Sequence, residues 1–395
     1  MACIATGVGA QQAPAPVRAR ALGVPFDGTP GPLDAITDVA GVEVGQVTLV
    51  SGEGRRVAGV GPVRTGVTAI LPRGAHDGDP TFGGWFTLNG NGEMTGTTWL
   101  EESGFLKGPV LITNTNSVGV VRDAVIEWQV RHLPDADWEL PVVAETWDGA
   151  LNDINGFHVT KADAFAAIES ARGGPVSEGD VGGGTGMICH EFKGGIGTAS
   201  RRLSARQGGY TVGVLVQCNY GLRRLLTIAG VPVGKEIPDP LPCFAGHWAL
   251  PAEEARRSCD KPGVPRDGDA GSIIVVVATD APLLPHQLKR IAKRVSLAIG
   301  RTGGLGGDSS GDIYIAFSTA NPHAADTSGP RPLQMLPNER IDPLFEATVQ
   351  AVHEAIVNAL VAATTMVGAD SLRVPALPHD RLRAVLARYN RLAAP

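Results

Sequence analysis

A chain of 395 residues with 43% apolar and 19% charged residues can bury a large core and has the composition of a soluble globular protein. Its formal net charge of −6, with no basic run interleaved with aromatics, speaks against nucleic acid as a partner, and no apolar stretch reaches the length of a membrane span. The 52 glycines and 29 prolines follow no period, which excludes collagen-like and low-complexity readings and points to many tight turns.

Residues 1–30 read as a flexible lead-in. Met1–Ala10 is small and apolar and Gln11–Pro16 resembles the linker after a signal peptide, yet no basic n-region precedes it. A trimmed export signal would place the protein in the periplasm or outside the cell; a simple arm would leave it in the cytoplasm. From Ile36 onward, β-branched runs alternate with glycine-rich turns and predict strands at Val42–Val50, Val67–Leu71, Val110–Thr113, Pro141–Glu145, Thr211–Gln217, Ile273–Thr279 and Ile313–Ser318. Several are apolar throughout, as strands covered on both faces are.

Helical periodicity falls between them. Ser117 is placed to cap a helix carrying Val118, Val121, Val125 and Trp128, and Thr160 with Asp163 forms a capping signal before Phe165 and Ile168. Pro285–Ile299 puts Leu288, Ile291, Ala292 and Val295 on one stripe, with Gly300 as the expected stop. Asp342-Pro343 opens a long helix, and a last one spans Pro378 to Tyr389. Strands mixed with helices throughout predict a layered α/β or α+β architecture. Pro232–Gly271 has no period and reads as a long exposed loop. Within it, Cys243 and Cys259 either form a disulfide or remain two thiols; no cysteine sits in a C-x-x-C pair.

The junction at the end of that loop carries the most chemistry. In Gly271-Ser272-Ile273-Ile274-Val275 a hydroxyl residue opens an apolar strand directly after a glycine, which tolerates the strained backbone that attack on its own carbonyl requires. An N-to-O acyl shift followed by hydrolysis would leave Ser272 as a new N-terminus. Its freed α-amine, with an unperturbed pKa of about 7.7–8.0 against about 10.4 for lysine, would be a base tethered to the hydroxyl it serves. The plain alternative is a turn that happens to precede a strand.

Three further stretches are polar where a strand begins or ends. The glycine-rich run Gly303–Gly307 lacks the Gly-Lys-Ser/Thr of a phosphate-binding loop and instead presents Ser310 and Asp312 at alternate positions. Asn219 ends an apolar strand with an amide suited to an oxyanion, and Glu145 ends another with a carboxylate suited to an ammonium group. The nine histidines form no metal-binding pattern, so neither a metal nor another cofactor is expected.

Taken together, the blocks Asn89–Gly96, Thr113–Ser117, Glu145–Gly156, Phe192–Arg201, Val216–Gly221, Gly271-Ser272 and Ser310–Asn321 resemble the self-processing L-aminopeptidase/D-amidase-esterases and the related β-peptidyl aminopeptidases. The resemblance implies an αββα sandwich over residues 31–395, cut into chains 1–271 and 272–395 that stay together, and a homo-oligomer, with a tetramer favoured. It implies Ser272 as nucleophile with its amine as base, Ser310 and Asp312 as partners of that amine, Asn219 as oxyanion donor and Glu145 as the ammonium site of a small peptide or amide. Trp147 stands where relatives often carry tyrosine, so any task of a phenol there is in doubt, and Asp312 is a shorter arm than the usual glutamate. Two other readings remain: acyl transfer of the ornithine acetyltransferase kind, whose relatives use threonine, and a non-catalytic binding protein on the same scaffold.

Overall fold

The computed structural model describes residues 17–75, 77–133, 138–246, 257–261, 263–264, 268 and 271–393. Strands β1 (Glu43–Ser51), β2 (Val63–Leu71) and β3 (Thr81–Gly90) lead into helix α1 (Thr97–Ser103), then β4 (Phe105–Leu106), β5 (Val110–Asn114), α2 (Val118–His132), β6 (Val142–Thr146) and α3 (Lys161–Glu169). There follow β7 (Ile188–Cys189), β8 (Phe192–Lys193), β9 (Gly195–Arg202), β10 (Thr211–Asn219), the short α4 (Val233–Glu236) and β11 (Cys243–Phe244). The chain continues with β12 (Ser272–Thr279), α5 (Pro285–Thr302), β13 (Gly311–Ser318), α6 (Asp342–Ala362), β14 (Met366–Val367), β15 (Leu372–Val374) and α7 (His379–Arg388).

Two sheets stack face to face, one ordered β1-β2-β5-β6 and the other β4-β3-β13-β12-β10-β9. The alternation along β12 shows how its unbroken apolar run is used. Ile274, Val276 and Ala278 meet Ile70, Ile112 and Ala144 of the opposite sheet, while Ile273, Val275 and Val277 join Leu288, Ile291 and Val352 of α5 and α6. Across the first sheet, Val67, Leu111 and Val143 pack on Val121, Val125 and Ile168 of α2 and α3. The result is the αββα sandwich that the resemblance implied. Each such side chain fully removed from water contributes about 1.5–3 kcal/mol, which is why β12 carries no polar residue between Ser272 and Thr279.

Strands β3 and β9 were not predicted, and their glycines are the reason. A Cβ on Gly84 would lie 2.5 Å from the Lys289 nitrogen of α5, and one on Gly197 would lie 1.9 Å from the Ala355 carbonyl oxygen of α6. These glycines mark where a helix presses on the sheet, and in sequence they hide the strand pattern. Helix α5 runs past Gly300 to Thr302 and stops at Gly303, whose φ of 101° supplies the left-handed cap. Ser117 precedes α2 without a side-chain capping bond, whereas the Asp163 carboxylate accepts the Thr160 N–H at 2.8 Å as expected.

Residues 1–16 of the expected lead-in lie outside the described residues, but residues 17–30 are pinned rather than loose. Arg20 forms an ion pair with buried Glu354 at 2.6 Å, and Arg18 meets Glu178 at 2.8 Å. Buried Arg201 of β9 also reaches Glu354 at 2.7 Å, so the segment supplies part of the positive charge that these buried carboxylates require. The Pro232–Gly271 loop also holds structure: α4, and β11 paired antiparallel with β15. Cys243 and Cys259 are disulfide-bonded across it, and Cys189 is bonded to Cys218, a pairing the sequence did not suggest. The rest of that loop, residues 247–256, 262, 265–267 and 269–270, lies outside the described residues.

Candidate active site

Ser272 is the first residue of β12, the strand flanked by β10 and β13 in the middle of the larger sheet. It pairs with Asn219, the last residue of antiparallel β10, and with Gly311, the first of parallel β13. Three strand ends thus meet at one edge. Gly271 fits there only because it has no side chain: a Cβ would lie 2.1 Å from the Asn219 carbonyl oxygen.

A cavity of about 540 Å³ opens over this edge, lined by Ser272, Gly271, Asn219, Trp147 and Glu145 together with Asn91, Gly92, Glu93, Thr115 and Ser309. It is a size suited to a small-molecule ligand. The smaller sheet contributes through the end of β6. Glu145 is 3% exposed; its Oε1 accepts the Glu93 N–H at 3.0 Å and its Oε2 accepts the Thr115 hydroxyl. Burial pushes its carboxyl above the ordinary glutamate range, and these two hydrogen bonds pull it partly back.

Asn219 is held at both ends of its amide. Oδ1 accepts the Ile188 N–H at 2.8 Å, which fixes which end is the donor, and Nδ2 donates to the Trp147 carbonyl at 2.9 Å. The Cys189–Cys218 bridge adjoins both residues of the first contact. The Trp147 indole itself is 48% exposed on the cavity wall, with Gly149 so close that a Cβ there would lie 2.5 Å from the ring. Behind it Asp148 is fully buried, accepts the Asn152 amide at 3.1 Å, and is pushed by burial up to about 6.

Ser310 and Asp312 are brought together but lie behind the cavity wall. The Ser310 hydroxyl donates to Asp312 Oδ1 at 2.8 Å, and the two residues are 0% and 1% exposed. Alternation places Asp312 on the face of Tyr314 and Ala316, toward α5, whereas Ser272 shares the opposite face with Ile274 and Val276. A register shift between β13 and β3 at Asp312/Ile313 sits at this point, as bulges beside functional sites often do. Glu93, Thr115, Asn91 and Ser309 were not singled out from sequence; Glu93, Thr115 and Asn91 fall inside blocks that carried the resemblance, which was the available signal. Among the described residues no cluster of three or more His, Cys, Asp or Glu is placed to hold a metal ion.

Two stacked sheets between helical layers, with a serine opening a central strand at a cavity floor, define a hydrolase of the N-terminal-nucleophile kind. The chain belongs to Peptidase family S58, whose sequence model matches residues 34–374. It is 54% identical over 387 residues, 98% of this chain and 96% of the other, to β-peptidyl aminopeptidase BapA of Sphingosinicella microcystinivorans. The L-aminopeptidase D-Ala-esterase/amidase of Ochrobactrum anthropi, a prototype serine aminopeptidase and a variant of the Ntn hydrolase fold, matches with a TM-score of 0.85 and 48% identity, covering 95% of this chain and 99% of that one. A β-aminopeptidase of Burkholderia sp. matches with a TM-score of 0.82 and 46% identity over 94% of this chain and 99% of the other. The protein is accordingly an N-terminal-nucleophile aminopeptidase, and autoprocessing belongs to that fold.

Proposed function

We propose that the chain cuts itself between Gly271 and Ser272, and that the resulting pair of chains, 1–271 and 272–395, releases N-terminal residues from short peptides and amides, β-amino acids among them. The observation that carries this reading is the convergence of Ser272, Asn219 and Glu145 on one cavity. A substrate ammonium group binds at Glu145, the scissile carbonyl lies between Ser272 and Asn219, and an ester on Ser272 forms and is hydrolysed. The amine of Ser272 is the base. Ser310 and Asp312, on the opposite face of the sheet from the hydroxyl, orient that amine through its backbone position rather than touching the nucleophilic oxygen. The inclusion of β-amino acids rests on the named relatives of Sphingosinicella and Burkholderia. Cleaved pairs assemble as a homo-oligomer, with a tetramer favoured. Intact-mass measurement and N-terminal sequencing of purified protein test the cut: a fragment beginning Ser-Ile-Ile-Val is expected, and one full-length mass in active protein refutes it.

Glu145 gives the reaction a pH signature. Ammonium binding needs the carboxylate, so KM rises as pH falls through a pKa that burial has raised above the usual glutamate value. Glu145→Gln should raise KM by about 10- to 100-fold, the worth of a charge-assisted contact, and flatten that acidic limb. A variant whose KM keeps the wild-type acidic rise would remove Glu145 from the substrate site.

A further inference from the structure

The carbonyl that must be attacked for self-cleavage already has a hydrogen-bond donor aimed at it, and that donor is not Asn219. Gly271 O accepts the Gly311 N–H at 3.1 Å. The Asn219 Nδ2 is engaged with the Trp147 carbonyl at 2.9 Å. Gly271 is held on its other side by β10, its Cα packed against the Asn219 carbonyl and Tyr220 Cα so closely that no Cβ fits. The peptide to be broken is therefore clamped between two strands, with its oxygen directed at one backbone N–H.

We propose that the Gly311 N–H is the oxyanion donor for self-cleavage, a task separate from the one Asn219 performs on substrates. The inference rests on the assignment of Ser272 as the self-cleaving residue. In the step, the Ser272 hydroxyl oxygen bonds to the Gly271 carbonyl carbon, and the carbonyl oxygen takes the electron pair as an alkoxide. The Gly311 N–H stabilises that charge in place, with no reorganisation needed because the strand pairing holds it beforehand. The C–N bond then breaks, the hydroxyl proton ends on the departing nitrogen, and an ester joins Gly271 to Ser272. Water hydrolyses the ester, giving the Gly271 carboxylate and restoring the hydroxyl.

Gly311 itself is suited to this because its position is fixed without a side chain: a Cβ there would lie 2.4 Å from the Asn91 carbonyl oxygen. Asn91 in turn donates its side-chain amide to the Ser309 carbonyl at 2.9 Å, and its N–H bonds the Ser310 carbonyl at 3.3 Å. The turn that leads into β13 is thus anchored on both sides of the donor, which keeps the N–H on the scissile oxygen.

The test removes the N–H and leaves the shape. Full-length chain carrying glycolic acid in place of Gly311, made by nonsense suppression in cell-free translation, replaces that amide by an ester. Precursor cleavage, followed by mass, should slow by about 100-fold, the usual effect of losing one oxyanion donor. The same exchange at Ile313, using its hydroxy-acid analogue, removes an N–H from the same strand two residues on and should leave cleavage near the wild-type rate. Equal cleavage rates in the Gly311 ester and wild type would overturn the inference while Ser272 stands, and equal slowing in both esters would overturn it as a mere effect on the sheet. Absence of a cut at Gly271–Ser272 in the wild type would instead remove the assignment beneath it.

Discussion

Ser272→Ala should run as a single 41.0 kDa chain on a denaturing gel and lose at least about 10⁴-fold in kcat/KM. Both defects follow from one missing oxygen: without it no acyl shift frees the amine, and no ester can form on a substrate. Ser272 is 5% exposed at the start of β12 and is paired with neighbours through its backbone, so alanine fits without disturbing the sheet. A melting temperature near that of the wild-type precursor therefore accompanies the loss. Ser272→Cys keeps a nucleophile of similar size and should still process. Cleavage at the same bond in Ser272→Ala would show that another group attacks it.

Asn219→Ala carries the second large effect, a fall in kcat of about 10²–10³-fold with a smaller change in KM. The amide is worth this much because its direction is set in advance: the Ile188 N–H holds Oδ1 and the Trp147 carbonyl takes one N–H of Nδ2, which leaves the second N–H for a substrate oxygen in the cavity. Asn219→Asp is nearly isosteric but offers acceptors where a donor is needed, and should be no better than alanine. If self-cleavage runs on the Gly311 N–H, both variants should still be cut into two chains. Steady-state kinetics on a short amide, alongside a gel of the same preparations, separates the two steps. A kcat within a few-fold of wild type would take Asn219 out of the oxyanion site.

How much of this was readable in the chain can be judged strand by strand. The runs that became β10, β12 and β13 announced themselves because burial on both faces favours long apolar runs, whereas of β2 only Val67–Leu71 was read, since Arg64, Thr65 and Gly66 break the pattern at its start. β3 and β9 escaped because Gly84 and Gly197 make room for α5 and α6, and a glycine chosen for a neighbour's backbone looks in sequence like a turn. Likewise the N-terminal segment looked loose until Arg18 and Arg20 were seen beside buried carboxylates 160 and 334 positions away.

The sequence by itself determined the chemistry that is local in the chain: a glycine before a serine, a serine before a buried strand, and polar residues at the ends of apolar runs. The self-cleavage proposed at Gly271–Ser272 involves adjacent residues, so its signature survives in one dimension. Only the tertiary structure decided that β10 and β13 flank β12, that Glu93 and Thr115 grip Glu145, and that Asp312 faces away from the Ser272 side chain. Apolar periodicity records that a strand is buried but not which strand lies beside it, because burial is satisfied equally by any well-packed neighbour.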